Sequence, residues 1–252
     1  MSRTKAVVLH LLISFLVVTT VLGIMYYLWY PNAYFTLMGG EKLIAILAGI
    51  DIFLGPLLTF CVFKAGKKGL KFDLFCIGLV QIAALSYGVY VMFQARPVFT
   101  VFNKTRFDIA AVVDIAPGEL AKGREPQWQT LSITGPKLVA IFTPDKKNRK
   151  EHMFAMMETD TAYRYPRLYD DYNLHRKEVI KAGKPLVELS SLSMKNKLAV
   201  DKFVASGNRP EDDFLYLSIS SELAEMAAIV DAKTGDLIKI IDAKPEVMPH
   251  NK

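Results

Sequence analysis

The sequence has few cysteines, and its first 93 residues contain few acidic side chains. Both cysteines, Cys61 and Cys76, lie in that apolar first part, and the remainder of the chain contains none. A disulfide framework and a CxxC-type zinc or redox centre are therefore excluded. Residues 1–93 carry only three Asp or Glu, against seven Lys or Arg. This composition predicts a membrane segment, and the rest of the chain has the composition of an ordinary soluble domain.

Motifs of the common enzyme classes are also missing. The sequence contains no GxSxG, HExxH, Walker A or GxGxxG pattern. His152, His175 and His250 lack the paired spacing of metal ligands. The acidic clusters at 170–171 and 211–213 lack a DxD pattern and are interpreted as solvated loops. The sequence therefore predicts a protein that is not an enzyme and that has no metal or other cofactor.

Long apolar runs predict three transmembrane helices, over about 6–30, 43–63 and 74–93. At about 1.5 Å per residue, each run is long enough to cross a hydrocarbon core of about 30 Å. The first run ends in aromatic residues at 26–30, which favours a retained helix over a cleaved signal peptide. His10, about one turn inside this helix, is interpreted as a side chain that snorkels or caps a neighbour.

Basic side chains set the predicted orientation of these spans. The turn between the second and third spans holds Lys64, Lys67, Lys68 and Lys71. Since Lys and Arg concentrate on the cytoplasmic side, this turn and the N-terminus, with Arg3 and Lys5, are expected in the cytoplasm. The sequence therefore predicts a multi-pass protein of the bacterial inner membrane with a periplasmic C-terminal domain. The net charge of +6 reflects this topology and does not indicate nucleic-acid binding.

Polar and small side chains lie within the second and third spans. Asp51 is a carboxylate inside an apolar segment, which is a functional-site hypothesis in any membrane protein. Ala48, Asp51 and Gly55 share one helix face, and Gln81 lies on a face of the third span. We expect these faces to pack together, and Pro56 to kink the second span. Two roles for Asp51 remain open: an internal hydrogen bond, for example to Gln81, or contact with the transmembrane helix of another protein.

Residues 96–252 show the pattern of an α+β domain. Short runs rich in Val, Ile and Phe predict strands over 98–102, 106–113, 138–143, 214–218, 227–231 and 237–241. Helices are predicted over 145–158, 169–182 and 189–205. We therefore expect a three-helix transmembrane region over 1–95 and a periplasmic α+β domain over 96–252.

One predicted loop of this domain is rich in aromatic and basic side chains, which are enriched in protein interfaces. Its residues are Tyr163, Arg164, Tyr165 and Arg167. Two interpretations remain open. The loop binds a partner, or its tyrosines pack on the domain while its arginines face water.

Four stretches of the sequence resemble the type IV pilin accessory proteins of the TfpX/TfpZ group. Two are the DIFLGPLLT segment at 51–59 and the FKAGKKGLKFD segment at 63–73. The others are WYP at 29–31 and QARPV at 94–98, which follow the first and third spans. The resemblance covers about residues 5–110. It implies an inner-membrane protein that assists pilin stability or pilus assembly, with no known catalytic activity and no cofactor.

The resemblance and the layout together predict a pilin-specific chaperone or assembly factor. The expected partners are the major type IV pilin, the lipid bilayer and other pilus-assembly proteins. In this hypothesis Ala48, Asp51, Gly55 and Gln81 form a membrane face for the pilin helix, and the Tyr163–Arg167 loop contacts the pilin head. Two alternatives stay open: a membrane-anchored sensor that binds a periplasmic ligand, and a pilin-modifying enzyme.

Overall fold

The computed structural model describes residues 2–64, 66–142 and 160–245. The chain divides into two compact units, Met1–Arg96 and Pro97–Lys252. The first is helical and the second contains a mixed β-sheet with helices, so the second unit has the predicted α+β character. The predicted helix over 145–158 lies outside the described residues.

The helical unit contains long apolar helices joined by short turns. Its α-helices are α1 (Arg3–Ile24), α2 (Tyr34–Leu37), α3 (Gly40–Ala48), α4 (Gly55–Val62) and α5 (Leu70–Ala95). One π-helical turn, Met25–Trp29, extends α1, and another, Gly49–Leu54, joins α3 to α4. Among the described residues, two helices are long and apolar enough to cross a membrane: Arg3–Trp29 and Leu70–Ala95. The predicted second span falls on α3, the π turn and α4.

The π turn at Gly49–Leu54 has a local cause in the sequence. Pro56 lies in the first turn of α4 and has no N–H to donate to the carbonyl four residues earlier. A wider π-helical turn is one way in which a helix accommodates such an interruption. The distortion predicted at Gly55–Pro56 is therefore present, immediately before these residues.

The described residues of the second unit form a sheet with the order β4-β3-β1-β2-β6-β7-β8, and β5 pairs with β6 beside β2. The strands are β1 (Pro97–Asn103), β2 (Arg106–Ala111), β3 (Lys137–Ile141), β4 (Tyr169–Asp171), β5 (Lys184–Pro185), β6 (Phe214–Ser220), β7 (Glu225–Asp231) and β8 (Leu237–Ile241). Each predicted strand is present with bounds within two residues of those predicted, and β4 and β5 were missed. The β1–β3 and β2–β6 pairs are parallel and the other pairs antiparallel.

The register fixes which loops share an end of the sheet. Pro97, the first residue of β1, lies opposite Ala111, the last residue of β2. Since β3 is parallel to β1 and β6 is parallel to β2, the start of β3 and the end of β6 lie at this same end. We term it the leading end, because the chain enters the sheet there at Pro97.

Two apolar cores fill the space on the sheet. Helices α7 (Leu186–Leu192) and α8 (Met194–Ala205) cover β6, β7 and β8, while α6 (Arg176–Ala182) precedes them. Their core contains Leu186, Leu189, Val200, Phe203, Phe214, Tyr216, Ala227, Ile229 and Ile241. The other core lies on β1, β2 and β3 and contains Val98, Phe99, Val101, Ala110, Trp128, Val139, Leu168 and Tyr169.

The predicted helix over 169–182 is wrong in its first half. Tyr169–Asp171 forms β4, which pairs with β3, and the Tyr169 side chain is fully buried in the core. The Asp171 side chain accepts a hydrogen bond from the backbone N–H of Asn173 and opens a 3-10 turn, so the α-helix begins only at Arg176.

The predicted helix over 189–205 is in fact two helices. Ser193 has an extended backbone, with φ −163° and ψ 158°, which ends α7. Its side chain accepts a hydrogen bond from the N–H of Asn196 and caps α8. A serine in this conformation is a favourable N-cap because it satisfies a backbone donor that has no partner within the helix.

Candidate functional site

A histidine, a threonine and a glutamine from separate helices meet inside the helical unit. Nδ1 of His10, on α1, lies 2.6 Å from Oγ1 of Thr59, on α4. Nε2 of the same ring lies 2.8 Å from Oε1 of Gln81, on α5. Thr59 is buried and His10 is half-buried. The imidazole therefore connects all three helices, and we term His10, Thr59 and Gln81 the helical polar cluster.

The proton positions in the helical polar cluster follow from its acceptors. The Gln81 oxygen can only accept, so Nε2 of His10 carries the proton and donates to it. In the neutral ring Nδ1 is then the acceptor, and the Thr59 hydroxyl donates to it. Each of these bonds satisfies a polar group whose burial without a partner would cost about 1–3 kcal/mol. The cluster is chemically suited to holding helices together.

Gly55 allows Gln81 to approach α4 closely. A Cβ added at Gly55 would lie 2.0 Å from Nε2 of Gln81, well inside contact distance. Any larger residue at this position must displace the amide. The structure thus brings together Gly55 and Gln81, which the sequence placed on facing surfaces of the second and third spans.

The remaining predicted residues of the membrane face lie just before Gly55. Ala48 is the last residue of α3 and is half-buried, and a Cβ added at the next residue, Gly49, meets nothing within 4 Å. Asp51 lies in the π turn, but its side chain is outside the part of the chain that the structure describes. The hydrogen bond between Asp51 and Gln81 therefore stays a prediction.

The two segments predicted to be cytoplasmic lie on the same side of the helical unit. Nε of Arg3, at the start of α1, donates a 2.8 Å hydrogen bond to the carbonyl of Phe63, just after α4. The basic turn that follows contains an ion pair, with Nζ of Lys67 2.7 Å from Oδ2 of Asp73. A shared side for these basic segments is what the predicted topology requires.

An aromatic cluster closes the other side of the helical unit. The Tyr30 hydroxyl donates a 2.6 Å hydrogen bond to the carbonyl of Met92, near the end of α5. Met25 and Met92 are buried against Tyr30, and the Trp29 ring lies 5.0 Å from that of Phe93. These contacts fix the end of α1 to the end of α5. Tyr and Trp are the side chains enriched at membrane–water interfaces.

In the α+β unit, the tyrosines of the Tyr163–Arg167 loop pack against the core of β1–β3. Arg164 Nη2 lies 2.5 Å from Glu222 Oε1, and Arg167 Nε lies 3.3 Å from Glu119 Oε2. The tyrosines therefore pack as the second interpretation of this loop expects, but the arginines form ion pairs instead of only facing water. Whether the loop also contacts a partner stays a hypothesis.

The acidic clusters of the α+β unit serve ion pairs and caps. Asp170 Oδ2 lies 3.0 Å from His175 Nε2. Asp213 is paired with Arg209 at 3.2 Å and with Lys233 at 2.8 Å. Within residues 2–64, 66–142 and 160–245, no group of three or more His, Cys, Asp or Glu is placed to hold a metal ion.

Asp231, at the end of β7, is the most strongly stabilised carboxylate of this network. Burial would raise its pKa, but hydrogen bonds from the Thr234 N–H, the Arg209 guanidinium and the Lys233 N–H lower the pKa to about 2. The Arg209 Nη1 to Asp231 Oδ2 distance is 2.7 Å. The ionised form of Asp231 thus fixes the turn between β7 and β8.

Sequence reasoning missed the helical polar cluster as a unit. His10 was interpreted alone, and Thr59 was part of a motif without an assigned contact. Thr59 is 49 positions and Gln81 is 71 positions from His10 in the chain, so no local sequence pattern indicates these contacts. The available signal was the presence of one strongly polar side chain within each of several apolar runs, since such groups pair with each other inside membranes.

Comparison with known proteins adds independent information. The family model described as fimbrial assembly protein FimB matches residues 1–39. The chain is 32% identical to the fimbrial assembly protein of serogroup E1 of Dichelobacter nodosus over 232 residues, which is 88% of each chain. The protein of serogroup I of that organism is 31% identical over the same shares. No solved structure matches the chain.

A shorter relative shows the same similarity. The fimbrial assembly protein of serogroups C1 and C2 of Dichelobacter nodosus is 37% identical over 115 residues, or 44% of this chain and 87% of the relative. An alignment that covers 88% of the chain is longer than either compact unit. The similarity therefore extends over both the helical and the α+β unit.

Proposed function

The chain belongs to the family of fimbrial assembly proteins, and on that premise we propose that it is a membrane-anchored, non-catalytic accessory factor for type IV pilin. The similarity over 88% of both chains carries the proposal, because it includes the helices and the α+β domain together. A role in pilus assembly follows from the family. The finer proposal is that the protein binds the pilin before assembly.

The helical unit supports a membrane anchor. The large apolar side chains of α1 and α5 are mostly exposed, as with Leu16 and Val80, which suits a lipid environment. Together α3, the π turn and α4 run without a break from Gly40 to Val62, roughly 30 Å of helix, enough for a third crossing. We propose that these three spans hold the protein in the bacterial inner membrane with the α+β domain in the periplasm.

The contacts in the helical unit refine which residues face a partner. Gly55 and Gln81 are in contact with each other, so we assign them to internal packing. Ala48 is half-buried and the adjacent Gly49 faces open space, so a second helix could approach closely at this point. We propose that the pilin's transmembrane helix docks at Ala48 and Gly49, beside Asp51.

Pilin binding by the α+β domain would use the Tyr163–Arg167 loop. Tyr163 and Tyr165 are held by packing, and Arg164 and Arg167 by carboxylates, so the loop is fixed before any partner arrives. A surface that is already ordered loses little conformational entropy on binding. This favours the loop as the contact for the pilin head.

In-cell photocrosslinking tests the proposal. A photoreactive residue is placed at Ala48 or Arg167, with matched controls at Val80 on α5 and Leu174 on the α+β domain, both strongly exposed. We expect adducts with tagged pilin from Ala48 and Arg167 and at most background from the controls. Equal yields at all four positions, with normal accumulation of the protein, would contradict specific pilin binding while leaving the family assignment in place.

A further inference from the structure

Strongly exposed apolar side chains lie on two connections at the leading end of the sheet. Val113, Ile133 and Leu223 have exposed fractions of 66%, 62% and 71%. Val113 follows the end of β2 by two residues, Ile133 precedes the start of β3 by four, and Leu223 lies in the turn between β6 and β7. Val113 and Ile133 thus lie at the two ends of one connection, from β2 to β3, and the register places both of these ends and the β6–β7 turn at the end that contains Pro97.

These loops form one row along the sheet. The three side chains lie next to the ends of β3, β2 and β6, and these strands follow the order β3-β1-β2-β6 in the sheet. Neighbouring strands lie about 4.8 Å apart, so the row is roughly 14 Å wide. Single exposed apolar residues are common on protein surfaces, but three at one end of the sheet, at both ends of the β2–β3 connection and in the β6–β7 turn, form a candidate interaction surface.

The charged groups beside these side chains are already paired. Glu222, next to Leu223, accepts a 2.5 Å hydrogen bond from Arg164. Asp114, next to Val113, accepts a 2.7 Å hydrogen bond from the N–H of Ala111, and burial raises its pKa. Ile133 lies between Ser132 and Thr134, which are uncharged. The loops therefore expose apolar tips without an unpaired carboxylate next to them.

The path of the chain indicates what covers this surface. Helix α5 ends at Ala95 and β1 begins at Pro97, so Arg96 alone separates the apolar helix from the leading end. If α5 crosses the bilayer, the chain emerges from the membrane directly into this end of the sheet. The inference rests on that part of the proposed function.

We propose that Val113, Ile133 and Leu223 insert into the bilayer surface from which α5 emerges. Transfer of apolar side chains from water to the acyl boundary lowers their free energy. The short connection to α5 keeps these side chains at high effective concentration beside the bilayer. Three contacts along a row limit rotation of the domain about its single connection. The bilayer thus serves as a second support that sets the orientation of the α+β domain.

The chain contains its own control at the other end of the sheet. Val187, on α7, and Leu174, just after β4, have exposed fractions of 63% and 71%. Val187 follows β5, whose Pro185 lies opposite Leu215 near the start of β6. Leu174 lies two residues before Arg176, which is ion-paired with Asp236 in the turn between β7 and β8. Both are at the end opposite to the leading end. A general affinity of exposed apolar side chains for lipid would act on both sets, whereas the proposal selects only the leading end.

Lipid quenching of site-specific fluorophores in the full-length protein tests this inference. In a C61A/C76A background, single cysteines V113C, I133C, L223C, L174C, V187C and V80C are labelled with an environment-sensitive dye. The protein is reconstituted in phosphatidylethanolamine and phosphatidylglycerol vesicles with or without brominated lipid. We expect at least twofold stronger quenching at positions 113, 133 and 223 than at 174 and 187, and strong quenching at 80.

The outcomes separate this inference from the proposed function. Quenching at position 80 with equal, weak signals at the other five positions would overturn the membrane contact and leave the anchor intact. Absence of quenching at position 80 would overturn the anchor itself. In an I133D/L223D background, quenching at V113C should fall to the level at 174 and 187, and an unchanged signal there would also contradict the proposal.

Discussion

The two units of this protein place polar and apolar side chains in opposite ways. In the helical unit, leucines, valines and phenylalanines of α1 and α5 point outward, while His10, Thr59 and Gln81 form hydrogen bonds between helices. In the α+β unit, Phe99, Tyr169 and Ile229 are fully buried, and the ion pairs formed by Asp213 lie nearer the surface. An apolar core therefore stabilises the second unit, whereas hydrogen bonds between side chains and close approach at small residues join helices in the first.

The difference follows from the solvent that each unit is proposed to meet. In water, burial of apolar area contributes about 25 cal/mol per Å², so a domain is stabilised by an apolar interior. In lipid that driving force between helices is absent, and association relies on close packing and interhelical hydrogen bonds. Substitutions of the same chemical kind should therefore have unequal effects in the two units.

Truncation of the α+β core should give the largest effect. Phe99 is fully buried and its ring lies 4.9 Å from that of Tyr169. Phe99→Ala should lower the free energy of unfolding by about 3–5 kcal/mol. In a W29F background the buried Trp128 reports unfolding of this unit by fluorescence. Leu16→Ala, an exposed position of α1, is the matched control and should change helix stability in detergent by less than about 1 kcal/mol.

Acid should weaken the α+β unit through Asp231. Its pKa of about 2 lies below the usual value near 3.8, so its contribution is complete above about pH 4 and is lost as the pH falls toward 2. The shift corresponds to roughly 2 kcal/mol. Trp128 fluorescence against pH measures it, and Asp231→Asn should reduce that acid dependence. An unchanged acid profile in Asp231→Asn would show that other groups control it.

Overpacking at Gly55 should disturb the helical unit. Gly55→Ala places a methyl group too close to the Gln81 amide, and moving that amide away from His10 should cost about 1–3 kcal/mol. Gly78→Ala on α5 is the matched control, because its added Cβ meets nothing within 4 Å and alanine favours helix. Thermal stability in detergent, measured by size-exclusion chromatography, compares the two variants. Equal stability would mean that α4 and α5 do not approach closely at Gly55.

Loss of the polar bond between α1 and α5 should give the smallest effect. A double-mutant cycle of His10→Ala and Gln81→Ala should yield a coupling of about 0.6–1.7 kcal/mol. Thr20→Ala is the control, since its hydroxyl bonds the Leu16 carbonyl of its own helix. Thermal stability of the four variants in detergent provides the measurement. A coupling of zero would mean that apolar packing, and not this hydrogen bond, holds α1 and α5 together, and the contrast between the two units would disappear.

The sequence predicted those features that depend on local pattern. Runs of apolar residues predicted the long helices Arg3–Trp29 and Leu70–Ala95, and runs rich in Val, Ile and Phe predicted most strands of the sheet. It failed at Tyr169–Asp171, where pairing with β3 outweighed a helical pattern, and at Ser193, where a side-chain cap divides a helix. The helical polar cluster was also missed, because its members are brought together only by the packing of separate helices.

The π turn at Gly49–Leu54 makes the two halves of the predicted second span face different directions. One additional residue in a turn rotates everything beyond it by about 100° around the helix axis. The segment after the turn presents Gly55 to Gln81, while Gly49 at its start presents an open side. One side is thus occupied by the packing of the protein's own helices, and the other is the side at which we propose that the pilin helix docks.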